Sequence, residues 1–437
     1  MSLILSMLDL KFVLSNLDAV KLNCERRNIR IDIDRLVALD KERRARLKHV
    51  EEIHRQRNEN AGAMKAKLSQ ADREKLISKG RELKQEASDE EATLAQLTGN
   101  VDVLLRQIPN MTHPDAPVGA SENDNREIRR QGSPTNFDFA AKDHVALGKD
   151  LDLIDFETAA LVAGQKFYYL KNEAVLLEFA LIQYALNTLL KDGFTPIITP
   201  DLARSEILDG IGFNPRGAET QIYSVENTDL CLIATAEITL GGMLKDTILE
   251  ETQLPLKFVG VSHCFRTEAG AAGKESKGLY RVHQFTKIEM FAFTTPEASE
   301  ATHEAFVALE EKLFAGLGIP YRVVDICTGD LGGPAYRKYD LEAWMPGRGE
   351  KGDWGEVTST SNCTDYQARR LGIRFRRESE KKPLFVHMLN GTAIAISRTL
   401  IAILENYQQK DGSVLIPQAL KPYMNGVEKI LPRTKVS

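Results

Sequence analysis

Between Asp32 and Ile108 apolar side chains recur at three- and four-residue intervals, and no proline interrupts them. Leu36, Leu39, Leu47, Val50, Ala61, Met64 and Leu68 mark a first stripe; Leu76, Leu83, Ala87, Leu94, Leu97, Val101, Leu104 and Ile108 mark a second. This spacing builds one apolar face of a helix. Asp32 or Asp34 supplies the first N-cap, and Ser69-Gln-Ala-Asp72 forms a turn with a new cap. Two such helices joined by a short turn predict an antiparallel hairpin with a coiled-coil seam. At about 1.5 Å per residue each arm extends roughly 50 Å. The stretch from Lys41 to Arg57 is rich in Lys and Arg, and by its charge pattern it reads as a solvated coiled-coil face.

Pro109, Pro114, Pro117, Gly119 and Pro134 then break the helical pattern, because proline can neither donate nor continue a helix. The expected division is an N-terminal helical domain over 1–110, a linker over 111–140 and a larger domain over 141–437. In the last region Gly- and Pro-bounded segments alternate between β-branched runs and amphipathic helices. A strong helix is expected over 171–192, stopped at Gly193. Phe194-Thr-Pro-Ile-Ile-Thr-Pro200 follows as an edge strand, since its prolines cannot complete a ladder. Alternating polar residues in later strands point to an antiparallel sheet with one lined face. The fold class is α+β.

The 57 basic and 62 acidic residues leave a formal net charge of -5, so any contact with nucleic acid rests on local patches. Cys24, Cys231, Cys264, Cys327 and Cys363 are scattered and form no Cys-x-x-Cys pair. That fits a reducing compartment and gives no reason to expect structural zinc. No apolar run approaches the roughly 18 residues of a membrane helix, and Met1-Ser-Leu-Ile-Leu-Ser is too short and uncharged for a signal peptide. A cytoplasmic protein with no membrane partner is expected.

Chemistry concentrates in four blocks. Val261-Ser-His-Cys-Phe-Arg-Thr-Glu-Ala-Gly-Ala-Ala-Gly-Lys274 reads as a strand and a small-residue turn, returning through Tyr280-Arg-Val-His-Gln-Phe-Thr-Lys-Ile-Glu289. Strand alternation puts Arg266 and Glu268 on one face beside a loop that a polyphosphate could approach. Ile233-Ala-Thr235-Ala236-Glu237 is expected as a strand with Thr235 and Glu237 on one face, suited to an ammonium and a hydroxyl; Glu289 follows the same polar logic. Trp354-Gly-Glu356-Val-Thr-Ser359 sets a carboxylate and a hydroxyl where Mg2+ could share them with phosphates. Phe385-Val-His-Met-Leu-Asn390-Gly391-Thr392 reads as a strand and small-residue turn leading into a buried helix. There Arg398 is costly unless it has a partner. His283 is expected to be structural, because no second His lies at ligand spacing.

Together, Thr235-Ala-Glu237, Phe265-Arg-Thr-Glu268, His-x-Phe285…Glu289, Glu356-Val-Thr-Ser359 and Asn390-Gly-Thr392…Arg398 resemble the motifs of class II aminoacyl-tRNA synthetases. In wording they are nearest to the bacterial seryl enzymes, over nearly the whole chain. The resemblance implies an antiparallel-sheet catalytic domain flanked by helices, and a homodimer built partly near Gly193–Pro200. It also implies ATP-dependent charging of tRNA(Ser), with tRNA(Sec) as a further acceptor, and an arm that grips the long variable arm of the tRNA. By the same resemblance L-serine falls to Thr235, Ala236, Glu237, Glu289 and Thr392. ATP falls to Arg266, Thr267, Glu268, Val282, Phe285, Glu356, Val357, Thr358, Ser359 and Arg398; Mg2+ falls to Glu356 and Ser359. Arg266, Glu356 and Arg398 would carry the catalytic charge. Thr358 and Thr392 stand where Ser is frequent, and both keep the hydroxyl.

Two rivals make different demands on the sequence. A non-catalytic paralogue is expected to lose Arg266, Glu289, Glu356 or Arg398, and all are present. An enzyme that loads a carrier protein is expected to lack the long arm, which the spacing over 33–108 supports.

Overall fold

The computed structural model describes residues 9–213, 221–269 and 277–433. The chain divides into two compact units, Met1–Met111 and Thr112–Ser437. In the first, two short helices lead into α1 (Ile33–Ala63) and α2 (Gln70–Gln107), an antiparallel pair. Asp32 provides the N-cap, its carboxylate accepting from the Arg35 N–H at 2.8 Å, while Asp34 instead pairs with Lys21. Ser69 Oγ accepts from the Asp72 N–H and starts α2. Leu36 and Leu39 cluster with Leu97 and Val101, and Ile53 with Leu83 and Ala87, along the seam where Val50 is also buried.

The seam keeps a stricter heptad than the sequence stripe suggests. Positions 36, 39, 43, 46, 50 and 53 repeat every seven residues, which buries Ile53 and leaves Leu47 38% exposed. Arg43 and Arg46 therefore occupy seam positions. Arg43 pairs with Asp40, and Arg46 reaches across the hairpin to Glu90 at 2.6 Å. Arg44 also pairs with Asp40, and Arg55 with Glu52 and Glu59. Much of the basic run is thus already held in ion pairs along its own helix or across the hairpin.

The second unit is built on an eight-stranded sheet. Its elements in chain order are β1 (Arg126–Gln131), α3 (His144–Asp150), α4 (Glu173–Lys191), β2 (Thr195–Ile198), α5 (Ala236–Gly242), β3 (Leu256–Phe265), β4 (Gln284–Thr294), α6 (Ser299–Gly316), β5 (Tyr321–Asp325), β6 (Arg337–Met345), β7 (Asp353–Asn362), β8 (His387–Ala395) and α7 (Ile396–Asn406). The strand order is β1-β5-β6-β7-β8-β4-β3-β2, antiparallel except for the parallel edge pair β2–β3. The stretch 111–140, expected from sequence to be linker, thus supplies an edge strand of this unit. All of β1 is exposed and most of it is charged, so no apolar alternation reveals it.

Along β4, Ile288, Met290 and Ala292 point into a core shared with α4, α6 and α7, while Phe291 and Phe293 point into a second core on the opposite face. Phe285, Lys287 and Glu289 share the parity of Phe291 and Phe293, so the polar residues extend that second face. By length and composition α4 could cross a bilayer. Its Leu177, Leu181, Ala185 and Leu189 instead fill the first core.

Two register shifts re-aim side chains toward this second face. One lies in β6–β7, where Leu341 and Glu342 oppose Thr358 and Glu356 and Val357 is the extra residue. The other lies in β8–β4, where Thr392 and Ile394 oppose Glu289 and Ile288 and Ala393 is extra. A bulge of this kind reverses the parity of everything beyond it. The expected turn at Asn390-Gly-Thr392 is absent: these residues lie inside β8, which runs directly into α7. Gly391 is small for packing reasons, since a Cβ there would sit 2.8 Å from Thr360 Oγ1 and 3.1 Å from Phe306.

Candidate active site

A cavity of about 290 Å³ opens where β3, β4, β7 and β8 meet the N-termini of α5 and α7. It gathers almost every residue singled out from the sequence; Ala236 and Thr267 alone among those candidates do not line it.

One end is built from carboxyls. Thr235 is the N-cap of α5 rather than part of a strand, its Oγ1 accepting from the Glu237 N–H at 3.2 Å. A short apolar run cannot be assigned by periodicity, and here the cap and an acidic residue in the first turn decide for helix. Gln367 Nε2 and Asn390 Nδ2 donate to Glu237 Oε1 at 2.8 and 2.9 Å. Glu289, on β4, meets Lys287 Nζ at 2.5 Å and accepts from Thr392 Oγ1 at 3.4 Å. Burial, and then the neighbouring Glu289, push the Glu237 carboxyl up to about 7. Two carboxyls and one lysine, nearly closed to solvent, form a chamber suited to an ammonium with a hydrogen-bonding group beside it.

The centre belongs to Arg266. β3 ends at Phe265, before both Arg266 and Glu268, so the expected strand alternation does not place them. The Arg266 N–H donates to the His283 carbonyl at 3.0 Å, and His283 Nδ1 donates back to the Arg266 carbonyl at 2.8 Å, which is the structural role expected of that histidine. The Arg266 guanidinium lies 5.3 Å from the centre of the Phe285 ring. Glu268 has a left-handed backbone, φ 53°, and its carboxylate pairs with Arg281 at 3.3 Å. The small-residue turn Gly270–Lys274 lies outside the described residues.

The far end pairs Glu356 with Arg398 at 3.0 Å. Arg398 stands in the first turn of α7; its Nη1 also donates to the Glu356 carbonyl, its Nε to the Tyr280 carbonyl, and its guanidinium lies 4.7 Å from the Tyr280 ring centre. Burial would raise the Glu356 carboxyl, but Arg398, with Lys338 and Arg266, outweighs it and holds the group below its ordinary value. Its side chain is still 41% exposed toward the opening. On a regular strand Glu356 and Ser359 would face opposite ways; the extra residue Val357 puts both on the cavity side. The same bulge sends Thr358 Oγ1 toward the other face, where it donates to Glu310 Oε2 at 3.0 Å. Among the described residues no three His, Cys, Asp or Glu side chains converge as a metal site. A carboxylate and a hydroxyl are too few ligands for a resident cation, but they fit Mg2+ that arrives with phosphates.

Several participants carry no assignment from the sequence. Lys287 shares strand parity with Phe285 and Glu289, and that signal alone could have found it. Asn390 stands inside a motif without a role of its own there. Tyr280 opens the Tyr280–Glu289 run but has no role there, and Gln367 reaches the site from a short helix far away in sequence, where no local pattern marks it.

Comparison with known proteins gives concordant matches. Residues 222–407 match the tRNA synthetase class II core domain (G, H, P, S and T), and residues 7–112 match the seryl-tRNA synthetase N-terminal domain. The serine–tRNA ligase of Treponema denticola is 58% identical, over 95% of this chain and 98% of its own. That of Borrelia recurrentis is 55% identical, over 98% and 100%. Among solved structures, seryl-tRNA synthetase from Pyrococcus horikoshii complexed with ATP superposes with TM-score 0.89 at 43% identity, covering 98% of this chain and 100% of that one. Prolyl-tRNA synthetase from Giardia lamblia, at 16% identity and TM-score 0.55, shares the fold.

The Glu237 environment predicts a pH signature. Its folded value, about 7, lies above the ordinary 4.5. Between those values the folded state holds the proton more tightly than the unfolded chain, so this group makes stability fall as pH rises through the window. Glu237→Gln keeps the acceptor for Gln367 and Asn390 and removes the ionisation. In urea titrations of the substrate-free protein, the variant should gain on wild type by on the order of 1–3 kcal/mol between about pH 5 and about pH 8. A difference that does not change with pH contradicts this environment.

Proposed function

The chain belongs to the seryl-tRNA synthetases, class II serine–tRNA ligases, and from that premise we propose that the cavity activates L-serine with ATP before transfer to tRNA. One observation carries this reading: a carboxyl chamber and an arginine-lined channel open into the same cavity, with Arg266 between them. The serine ammonium and hydroxyl are held by Thr235, Glu237, Glu289 and Thr392, with Ala236 buried between the first two on the chain. The carboxylate is thereby left pointing at Arg266. ATP lies along Arg266, Thr267, Glu268, Val282, Phe285, the segment Glu356–Ser359 and Arg398, with the adenine on the Phe285 ring and the γ-phosphate against Arg398. Mg2+ bound with ATP at Glu356 and Ser359 would neutralise phosphate charge.

A serine carboxylate oxygen attacks the α-phosphorus. The new O–P bond forms as the bond to the β-phosphate oxygen breaks, and pyrophosphate leaves with that electron pair. No enzyme nucleophile is needed. The chain supplies orientation, and Arg266 bridges carboxylate and α-phosphate as negative charge builds. A terminal ribose hydroxyl of the tRNA then attacks the seryl carbonyl and AMP departs. Alanine is refused because it leaves buried hydrogen-bonding groups unpaired; threonine is refused by the size of the chamber.

tRNA(Ser), and tRNA(Sec) as a second acceptor, would be gripped by the α1–α2 arm. A homodimer would form along β2, where Ile198 is 87% exposed, and the neighbouring α4, where Phe179 is 65% exposed. Apolar exposure on this scale suits an interface. The proposed place of work is the cytoplasm.

The direct test is serine-dependent ATP–pyrophosphate exchange, repeated with threonine, alanine and glycine. Arg266→Ala should cut the exchange by on the order of 100- to 1000-fold, as loss of one oriented donor does. Near-normal exchange by the folded variant removes Arg266 from this role.

Replacing residues 33–108 by a short Gly/Ser bridge should spare exchange and cripple aminoacylation. In the full chain, tRNA affinity should fall with salt by roughly one log unit per log unit of salt for each phosphate neutralised. Charging by the truncated protein that matches the full chain would reduce the arm to a structural element.

A further inference from the structure

Arg398 and Glu405 stand seven residues apart on α7, hence on one face of the helix. Arg398 reaches the catalytic cavity. Glu405, 1% exposed, turns to a second cavity of about 260 Å³ behind it, and Tyr280 forms part of the wall of both. The Glu405 carboxylate accepts three N–H groups: Oε1 from the His144 backbone at 3.0 Å and from His144 Nδ1 at 2.8 Å, and Oε2 from the Gly347 backbone at 2.8 Å. The other ring nitrogen, His144 Nε2, accepts the Leu279 N–H at 3.2 Å. A carboxylate only accepts and a backbone N–H only donates, so the imidazole carries its proton on Nδ1 and is neutral.

The consequence is a fixed Tyr280. Leu279 is tied down through His144, and Gly347, next to Arg348, is tied down by Glu405 itself. Between these anchors the Tyr280 ring lies 4.4 Å from the Arg348 guanidinium and 4.7 Å from that of Arg398, and its carbonyl accepts from Arg398 Nε. Cation–aromatic stacking of this kind orients a guanidinium plane. The fit around His144 is tight. Gly278 has φ +57°, and a Cβ there would sit 2.2 Å from His144 Nε2. His144 is itself only 5% exposed.

We propose that His144 and Glu405 form a positioning clamp that holds Tyr280 between Arg348 and Arg398, and so sets Arg398 for the triphosphate. The proposal rests on the reading of Arg398 as an ATP ligand. His144, on α3, acts through Tyr280 and is a positioning residue.

The test is a double-mutant cycle on the KM for ATP and the KM for serine in pyrophosphate exchange, using His144→Ala, Arg398→Ala and the pair. His144→Ala should raise the KM for ATP by about tenfold, the scale of losing a supporting partner, with the serine value within about twofold. His144→Gln carries an amide that can donate to Glu405 and accept from Leu279, and should recover most of the loss. In the Arg398→Ala background, His144→Ala should add nothing. The clamp is overturned if His144→Ala leaves both constants unchanged, raises both equally, or multiplies fully with Arg398→Ala. If Arg398→Ala itself leaves the KM for ATP untouched, the ligand reading of Arg398 falls, and the clamp with it. Should His144→Ala fail to fold, Tyr280→Leu carries the same test, with the same ATP-selective rise expected and an equal or absent effect on ATP and serine counting against it.

Discussion

Glu289 and Lys287 meet at 2.5 Å on the inner face of β4, and Glu237 shares their chamber from the N-terminus of α5. Burying charge is costly unless it is paired and hydrogen-bonded. Here two carboxyls face one lysine. Glu289 holds that lysine, and Glu237 is left with the amides of Gln367 and Asn390 and a raised affinity for its proton. A ligand ammonium placed beside Glu237 changes that balance, because it lets both carboxyls ionise together. On this account much of the selectivity for an amino acid comes from charge arithmetic in the chamber, and the remainder from its size.

The sheet makes this arithmetic possible by breaking its regularity at two places beside the cavity. The extra residue Val357 brings Glu356 and Ser359 to one face, and the extra residue Ala393 follows Thr392 and hands the chain to α7 with Arg398 in its first turn. Each bulge gives up part of a ladder for a re-aimed side chain. The reverse face stays a packed core, where Gly391 admits Thr360 and Phe306 at close range. A third register shift, between Glu127 and Arg129, lies at the β1–β5 edge away from the cavity, while α6 and α7 pack behind the strands that border it.

Much of this architecture is legible in the amino-acid sequence. Periodicity locates both long helices, capping locates their starts, and proline places the strand β2. Nearly all the residues that motif resemblance assigns do line the cavity. What stays hidden has physical reasons. β1 is charged and exposed, so it carries no apolar signature. The turn expected at Asn390–Thr392 is strand, because Gly391 there is a packing requirement and not a chain reversal. Thr235 resembles a strand residue in sequence because a three-residue pattern cannot separate a strand end from a helix cap. A loose three-and-four rule selects Leu47 over Ile53, since it does not see the heptad in which Arg43 and Arg46 hold seam positions through ion pairs. Gln367 and the His144–Glu405 pair act across more than a hundred residues of chain and leave no local mark.

The central claim is that the chamber containing Glu237 and Glu289 receives the serine ammonium. It is tested most directly by calorimetric titration of L-serine near pH 7 in buffers of different ionisation enthalpy. As the ammonium arrives, Glu237 should give up its proton, so the binding heat should vary with buffer in the sense of releasing about half a proton per serine bound. The dependence should vanish in Glu237→Gln while that variant remains folded. A binding heat independent of buffer in the wild-type protein would contradict the account.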